Sequence, residues 1–245
     1  QFSQLAPGKD LIAGQANLWW ARVHSQRNNF DRAAQILEEA VKRKEFTKLA
    51  IIDDLDFDLA NALMSKKEPD WKTASATLSR VEGRGKFGQM AEAIAQNATC
   101  LHKLKNYDSS LQAADRFIAK FADHQLAGDA RFIRAENIFL LNRGDEATKA
   151  YTQFINAHKE HANVQAGQLR IAQIHHLAGR WPQALASAGP LLAKKPEGRL
   201  FAQLSFLVGD SLFRQEKWQE CIKPLEDFVA VRVKIDGKNN NRRTV

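Results

Sequence analysis

Cysteine, proline and glycine are all scarce in this chain, at 2, 6 and 13 among 245 residues. Breakers this rare, with apolar residues at 44% and spread along the length, agree with an all-helical chain. No apolar run approaches the roughly 20 residues a membrane-spanning helix needs, which excludes that class. Also missing are a Gly-rich phosphate loop, a nucleophile elbow and a zinc-binding helix signature, so no catalytic residue is assigned. The acid pairs Glu38-Glu39 and Asp53-Asp54 read as solvated helix faces, and adjacent carboxylates on a helix point about 100° apart, too far round to act as an acid and base pair. His158 and His161 are three apart and His175 and His176 are adjacent, but neither set brings a third ligand. No metal and no cofactor is therefore expected. Gln1 stands where a Met would open a full gene product, and no signal segment follows it.

What the chain does contain is one pattern, six times over. A small residue sits at Ala33, Ala74, Ser110, Ala147, Ala184 and Cys221, at intervals of 41, 36, 37, 37 and 37. Four residues after each comes Leu37, Leu78, Ala114, Tyr151, Ala188 or Leu225, and three further on Ala40, Val81, Phe117, Phe154, Leu191 or Phe228. Self-similarity at such a period marks a repeat array. The fourth unit shows its anatomy. Ala147, Ala150, Tyr151, Phe154 and Ile155 form one apolar stripe at steps of three and four, and Phe132, Ala135, Ile138 and Phe139 form another. Between them, Asn142-Arg143-Gly144-Asp145 offers Gly144 as the left-handed residue ending one helix and Asp145 as the cap of the next. Two striped helices cannot bury both stripes alone and need neighbours.

The register continues through Phe132, Leu169 and Phe206, through Ala135, Ala172 and Gly209, and through Phe139, His176 and Phe213, each set spaced by 37. Small residues at the second of these sites let helix axes approach closely. Phe30, Trp71, Tyr107, Trp181 and Trp218 precede their small residue by three, and Gly144 takes that place in the fourth unit. Cys100 and Cys221 fall in the third and sixth units. A disulfide needs Cα atoms within about 7 Å, whereas even adjacent helices are about 8–10 Å apart. Both are expected to be free, buried thiols.

A small residue in the first helix, an aromatic at the turn, a small residue early in the second helix and a large apolar residue seven later resemble the tetratricopeptide repeat. Asn28-Asn29-Phe30-Asp31-Arg32-Ala33-Ala34 and Lys217-Trp218-Gln219-Glu220-Cys221-Ile222 carry the resemblance best, and it covers about Leu11 to Val233. It implies an all-α, right-handed superhelical solenoid of about six helix pairs forming one array. The units run at about 11–43, 50–84, 88–122, 125–159, 162–195 and 199–234, with 235–245 as a tail or a truncated next unit. We expect a fragment of a longer protein. The units are longer than is usual in the family and are similar to those of its bacterial cell-envelope members, which favours periplasm or cell envelope over cytoplasm. Pro190 and Pro224 fall within second helices, where kinks are expected.

In that family the concave wall is formed by first helices. The resemblance therefore implies a partner-binding surface including Arg22, Gln26, His102, Lys103, Glu136, Phe139, Gln173, His176, Asp210 and Phe213, with Leu140 and Leu177 beside them. Some members grip a peptide carboxylate through cationic and amide side chains on successive first helices. The matching positions here read Thr99, Glu136, Gln173 and Asp210, and acids there would repel a carboxylate. The net charge is +8, from 36 basic and 28 acidic residues. Its clusters, such as Lys42-Arg43-Lys44 and Lys194-Lys195, lie mostly at helix C-termini, where the helix dipole favours cations, so nucleic acid is disfavoured as a partner. The expected role is a noncatalytic scaffold holding a protein or peptide. The alternatives are a helical array binding a polyanion, such as RNA or an acidic polymer, and a regulatory segment of a larger enzyme. Apolar end helices would also permit end-to-end self-association.

Overall fold

In the computed structural model the backbone is described for residues 1–240 and the side chains for residues 1–231. Residues 241–245 of the expected tail lie outside the described residues. Every regular element among those described is helical. In chain order these are α1 (Phe2–Leu5), α2 (Leu11–Gln26), α3 (Phe30–Val41), α4 (Ile52–Ser65), α5 (Trp71–Arg84), α6 (Met90–Lys103) and α7 (Tyr107–Lys120). There follow α8 (Ala127–Leu140), α9 (Gly144–Ala157), α10 (Val164–Leu177), α11 (Trp181–Ala193), α12 (Gly198–Phe213) and α13 (Trp218–Asn240). No described helix is long and apolar enough to cross a membrane.

The chain forms two compact units, Gln1–Leu141 and Asn142–Val245. In the first, each helix from α1 to α7 packs on the next, α8 closes on α7, and α2 touches α4 as α6 touches α8. In the second, α9 to α13 pack in sequence and α10 touches α12. Consecutive helices joined by short turns make hairpins, and within each unit successive hairpins shelter one another's stripes.

The repeated small residues mark the cores. Ala33, Ala74, Ser110, Ala147 and Ala184 are fully enclosed and Cys221 is buried. Ala21, Ala60, Ala98, Ala135, Ala172 and Gly209 hold the corresponding buried place in the first helices. Around them sit Phe46, Phe117, Tyr151 and Phe154, all at 0% exposure, each stabilising its unit by about 1.5–3 kcal/mol through burial. Both cysteines are free and buried. Burial pushes the Cys100 thiol up to about 12, which keeps it protonated at neutral pH.

The turn inside five of the six pairs is a shared device, the α4–α5 turn being the exception. Its left-handed residue is Asn28, Lys105, Asn142, Gly179 or Glu216, with φ between 58° and 70°. The next residue donates its backbone N–H five residues back, as in Asn29 to His24 at 2.9 Å and Asn106 to Leu101 at 3.0 Å. Asn29 and Asn106 then use their side-chain oxygens to cap α3 and α7, accepting from the N–H groups of Arg32 and Ser109. One residue thus closes one helix and opens the next. In the fourth pair the left-handed residue is Asn142 and not Gly144, which begins α9, and Arg143 precedes α9 without a side-chain cap. Phe30, Trp71, Tyr107, Trp181 and Trp218 are likewise the first residues of their helices. Pro190 and Pro224 lie within α11 and α13, both of which continue past them.

Two predictions arise from these turns and caps. Gly179 has φ 70°, and a Cβ there would meet only the Trp181 ring at 3.7 Å. Gly179→Ala should therefore cost about 1 kcal/mol through backbone strain alone, while Lys105→Gly should raise the melting temperature slightly. An unchanged Gly179→Ala melting curve would contradict this. At the start of α5, Asp70 accepts from the Thr73 N–H at 2.9 Å, and that bond, first among several causes, holds its carboxyl below the usual 3.8. Asp70→Ala should cost about 1 kcal/mol at pH 7. Because the folded-state pKa is the lower one, this stabilisation is present above 3.8 and is lost as pH falls through the folded value. The two melting temperatures should converge in acid.

Asp53 and Asp54 do not lie on a solvated face. Asp53 accepts from Arg84 at 2.5 Å, and the neighbouring Asp56, 1% exposed, accepts from both Arg80 and Arg84. Burial, with Asp58 and Asp53 nearby, raises the Asp54 carboxyl against the opposing pull of Arg22. Arg80 and Arg84 come from the second helix of the same pair, so this network fastens α4 to α5.

Candidate functional site

Three pairs of neighbouring first helices, α4 with α6, α6 with α8 and α10 with α12, meet through one repeated rung. The residue four past the small residue of one first helix reaches the residue two past the small residue of the next. Met64 Sδ lies 3.3 Å from Cys100 Sγ, His102 Nδ1 lies 2.8 Å from Asn137 Oδ1, and His176 Nδ1 lies 3.0 Å from Ser211 Oγ. Asn137, fully buried, also donates to Ser110 Oγ at 2.7 Å, and Ser110 donates to the Ala98 carbonyl at 2.7 Å. His176 further pairs through Nε2 with Asp210 at 3.2 Å and meets the Trp181 ring edge-on at 5.1 Å.

His102 and His176, expected on the open wall, therefore sit at seams between successive first helices. Arg22 does likewise, donating to Asp58 of α4 at 2.5 Å while lying over the exposed Trp19 ring. Gln26 and Lys103 are exposed at the ends of α2 and α6. Glu136 and Phe139 are half-buried on α8, and Asp210 is half-buried between His176 and Arg214. Phe213 is 47% exposed and packs edge-on against Trp218, 5.0 Å away. These residues do not converge on one point.

Two of them do share a cavity. Gln173, His176 and Leu177 of α10 face Gln203, Phe206 and Leu207 of α12 across a pocket of about 340 Å³, closed by Phe228 of α13. Leu177 is 75% exposed and Phe206 44%, and the Phe206 and Phe228 rings lie 5.2 Å apart. Gln173 accepts from Arg170 at 3.0 Å. A wider cleft of about 910 Å³ opens between the α11–α12 loop and α13, bordered by Lys195, Phe201, Asp227 and Val231. It is lined by α11, the loop after it, the start of α12 and α13, whereas the smaller pocket is lined by α10 and α12 with Phe228 of α13. Sequence reasoning missed Gln203, Leu207 and Phe228 as wall residues. It also grouped Phe206 with Phe132 and Leu169, although Leu169 is 8% exposed. Periodicity carried no signal that would separate them.

No protein-family model matches the sequence, and no curated protein matches it either. Solved structures do. A tetratricopeptide repeat protein from Parabacteroides merdae superposes over 89% of this chain and 79% of its own, with 11% identity and a TM-score of 0.66. YrrB, described as a tetratricopeptide protein with an unusual peptide-binding site, is 16% identical over 81% of this chain and 94% of its own, with a TM-score of 0.63. MamA is 12% identical over 74% and 92%, with a TM-score of 0.62. This chain has the tetratricopeptide repeat fold.

Two histidines of this tetratricopeptide fold brace the entries to first helices. His124 Nδ1 accepts from the Leu126 N–H at 3.2 Å and His161 Nδ1 from the Asn163 N–H at 3.1 Å, which fixes the Nε2–H tautomer of each at the entry to a first helix. Each ring also stands edge-on to a buried phenylalanine, His124 to Phe117 at 5.9 Å and His161 to Phe154 at 5.2 Å. Burial, then the Arg180 charge, pull His175 below its ordinary value against the pull of Asp145, so its imidazole is neutral at pH 7. Among the described residues no group of three or more His, Cys, Asp or Glu could hold a metal ion. Many cations of the tetratricopeptide array are paired, including Arg80, Arg84, Arg116, Arg134 and Arg180.

Proposed function

We propose that this chain is a noncatalytic scaffold that holds a protein or peptide partner on its first helices, with the pocket between α10, α12 and α13 as the anchor. The observation that carries the reading is that pocket, with Leu177 and Phe206 exposed beside it and Gln173 and His176 in its wall. Large apolar groups open to solvent in a concave site are the usual source of binding energy. YrrB, whose fold this chain shares, is described as having a peptide-binding site, and that supports a peptide as one class of partner. Exposed Gln26 and Lys103 extend the contact surface in the first unit, and Phe213 does so in the second. The pairing of many cations supports an apolar contact over a polyanion.

A photo-crosslinking side chain placed at Leu177 in the native host tests this. A saturable protein adduct should form, persist at moderate salt, and weaken at least tenfold when Phe206 becomes Asp. An adduct with nucleic acid, or binding that falls steeply with log salt, would establish the polyanion reading instead.

A further inference from the structure

The last helix pair leaves open the surface that the pair before it has covered. In that earlier pair, Trp181, Leu185 and Leu192 of α11 are half-buried, and the two leucines pack against the cluster that holds Leu204, Leu207 and Val208 of α12. His176 of α10 is closed over in the same way by Ser211. Thirty-seven residues on, the same four places hold Phe213, Trp218, Ile222 and Val229, each about half exposed. We infer that a second copy of this chain covers them head to tail with its α2, an association that does not use the pocket proposed above.

The residues that do the covering are visible in α12. Leu207, two before the small residue Gly209, faces α10, and Leu200, nine before it, packs in the same cluster. The matching places in α2, counted back from Ala21, are Trp19 and Ile12, and both are at least half exposed. Beside them α1 extends that face by turning Phe2 and Leu5 to solvent. Seven residues separate Ile12 from Trp19 and seven separate Ile222 from Val229, so each end presents two apolar groups about 10 Å apart on one helix face. Among the described residues most of the exposed large apolar side chains lie on α1, α2, α12 and α13, whereas singly scattered ones would need no partner. Each end therefore offers what the other lacks. A contact between two unlike faces leaves one of each kind free at the ends of every complex, so it propagates unless it closes into a ring.

Sedimentation of the full chain over a rising concentration tests this. The weight-average mass should climb past that of a dimer, and Ile12→Asp or Ile222→Asp alone should weaken association at least tenfold, both positions being too exposed to unfold a pair. An equimolar mixture of the two variants should regain association and stop at a complex of one chain of each, because one variant keeps its tail face and the other its head face. A chain that stays monomeric throughout would overturn the inference. So would a wild-type dimer that only one of the two variants breaks, since that pattern marks two like faces meeting, and so would a mixture of variants no more associated than either alone.

Discussion

Phe117→Ala is expected to destabilise the chain by about 3–5 kcal/mol, the range for truncating a fully enclosed aromatic side chain. Phe117 is 0% exposed. It joins Ala91 and Ile94 of α6 to Ala127 and Ala130 of α8 in one cluster, and its ring meets Phe121 at 5.7 Å and His124 at 5.9 Å. Ala91, Ala127 and Ala130 in the wall have little reach with which to fill the space left behind. Because stability in such arrays is nearest-neighbour in character, the loss should be local. Amide exchange should accelerate in α6, α7 and α8 before it does in α10 to α13. Uniform acceleration over all helices, or a loss below about 1 kcal/mol, would contradict the account of the core.

Gly209→Leu should cost about 3 kcal/mol, at the upper end for overpacking. A Cβ at this position would lie 2.7 Å from Cγ and Cδ2 of Leu225 and 3.2 Å from its backbone nitrogen. The side-chain atoms could rotate away, but the nitrogen belongs to α13. Alanine gains about 1 kcal/mol over glycine in a helix, so Gly209→Ala should show a smaller net loss. Combining Gly209→Ala with Leu225→Ala should reveal a coupling of at least 0.5 kcal/mol in thermal or denaturant unfolding. Additive effects would mean that α12 and α13 do not approach as closely as described. The equivalent residues Ala135 and Ala172 are fully buried and carry the methyl that Gly209 cannot.

That contrast shows what the register reveals. A spacing of 37 identifies Ala135, Ala172 and Gly209 as one site requiring a small residue, yet only the approach of α13 says that the third must have no Cβ at all. The left-handed turn residue was misplaced for a similar reason. Asn142 and Gly144 both tolerate positive φ, and composition does not choose between them. The same turn hydrogen bonds in other pairs, such as Asn29 to His24, fix the left-handed residue as the one just before the donor. Asp53 and Asp54 looked solvated because their partners are remote in the chain, Arg84 at 31 residues' separation and Arg22 on another first helix. His102 and His176 each meet a partner 35 residues away across a seam, a contact that depends on helix rotation, since one residue's step turns a side chain by about 100°.

The amino-acid sequence alone determined that this protein is built of helix pairs and where their buried stripes run. Covering an apolar stripe with the next hairpin is a one-dimensional problem, and its solution repeats visibly along the chain. The tertiary structure decided which polar side chains meet across the seams, that Phe206 stays open where Leu169 is closed, and that a pocket forms between α10, α12 and α13. A hydrogen bond or a cavity wall depends on helix rotation and spacing to within an ångström or so, and a hydrophobic period does not carry that precision.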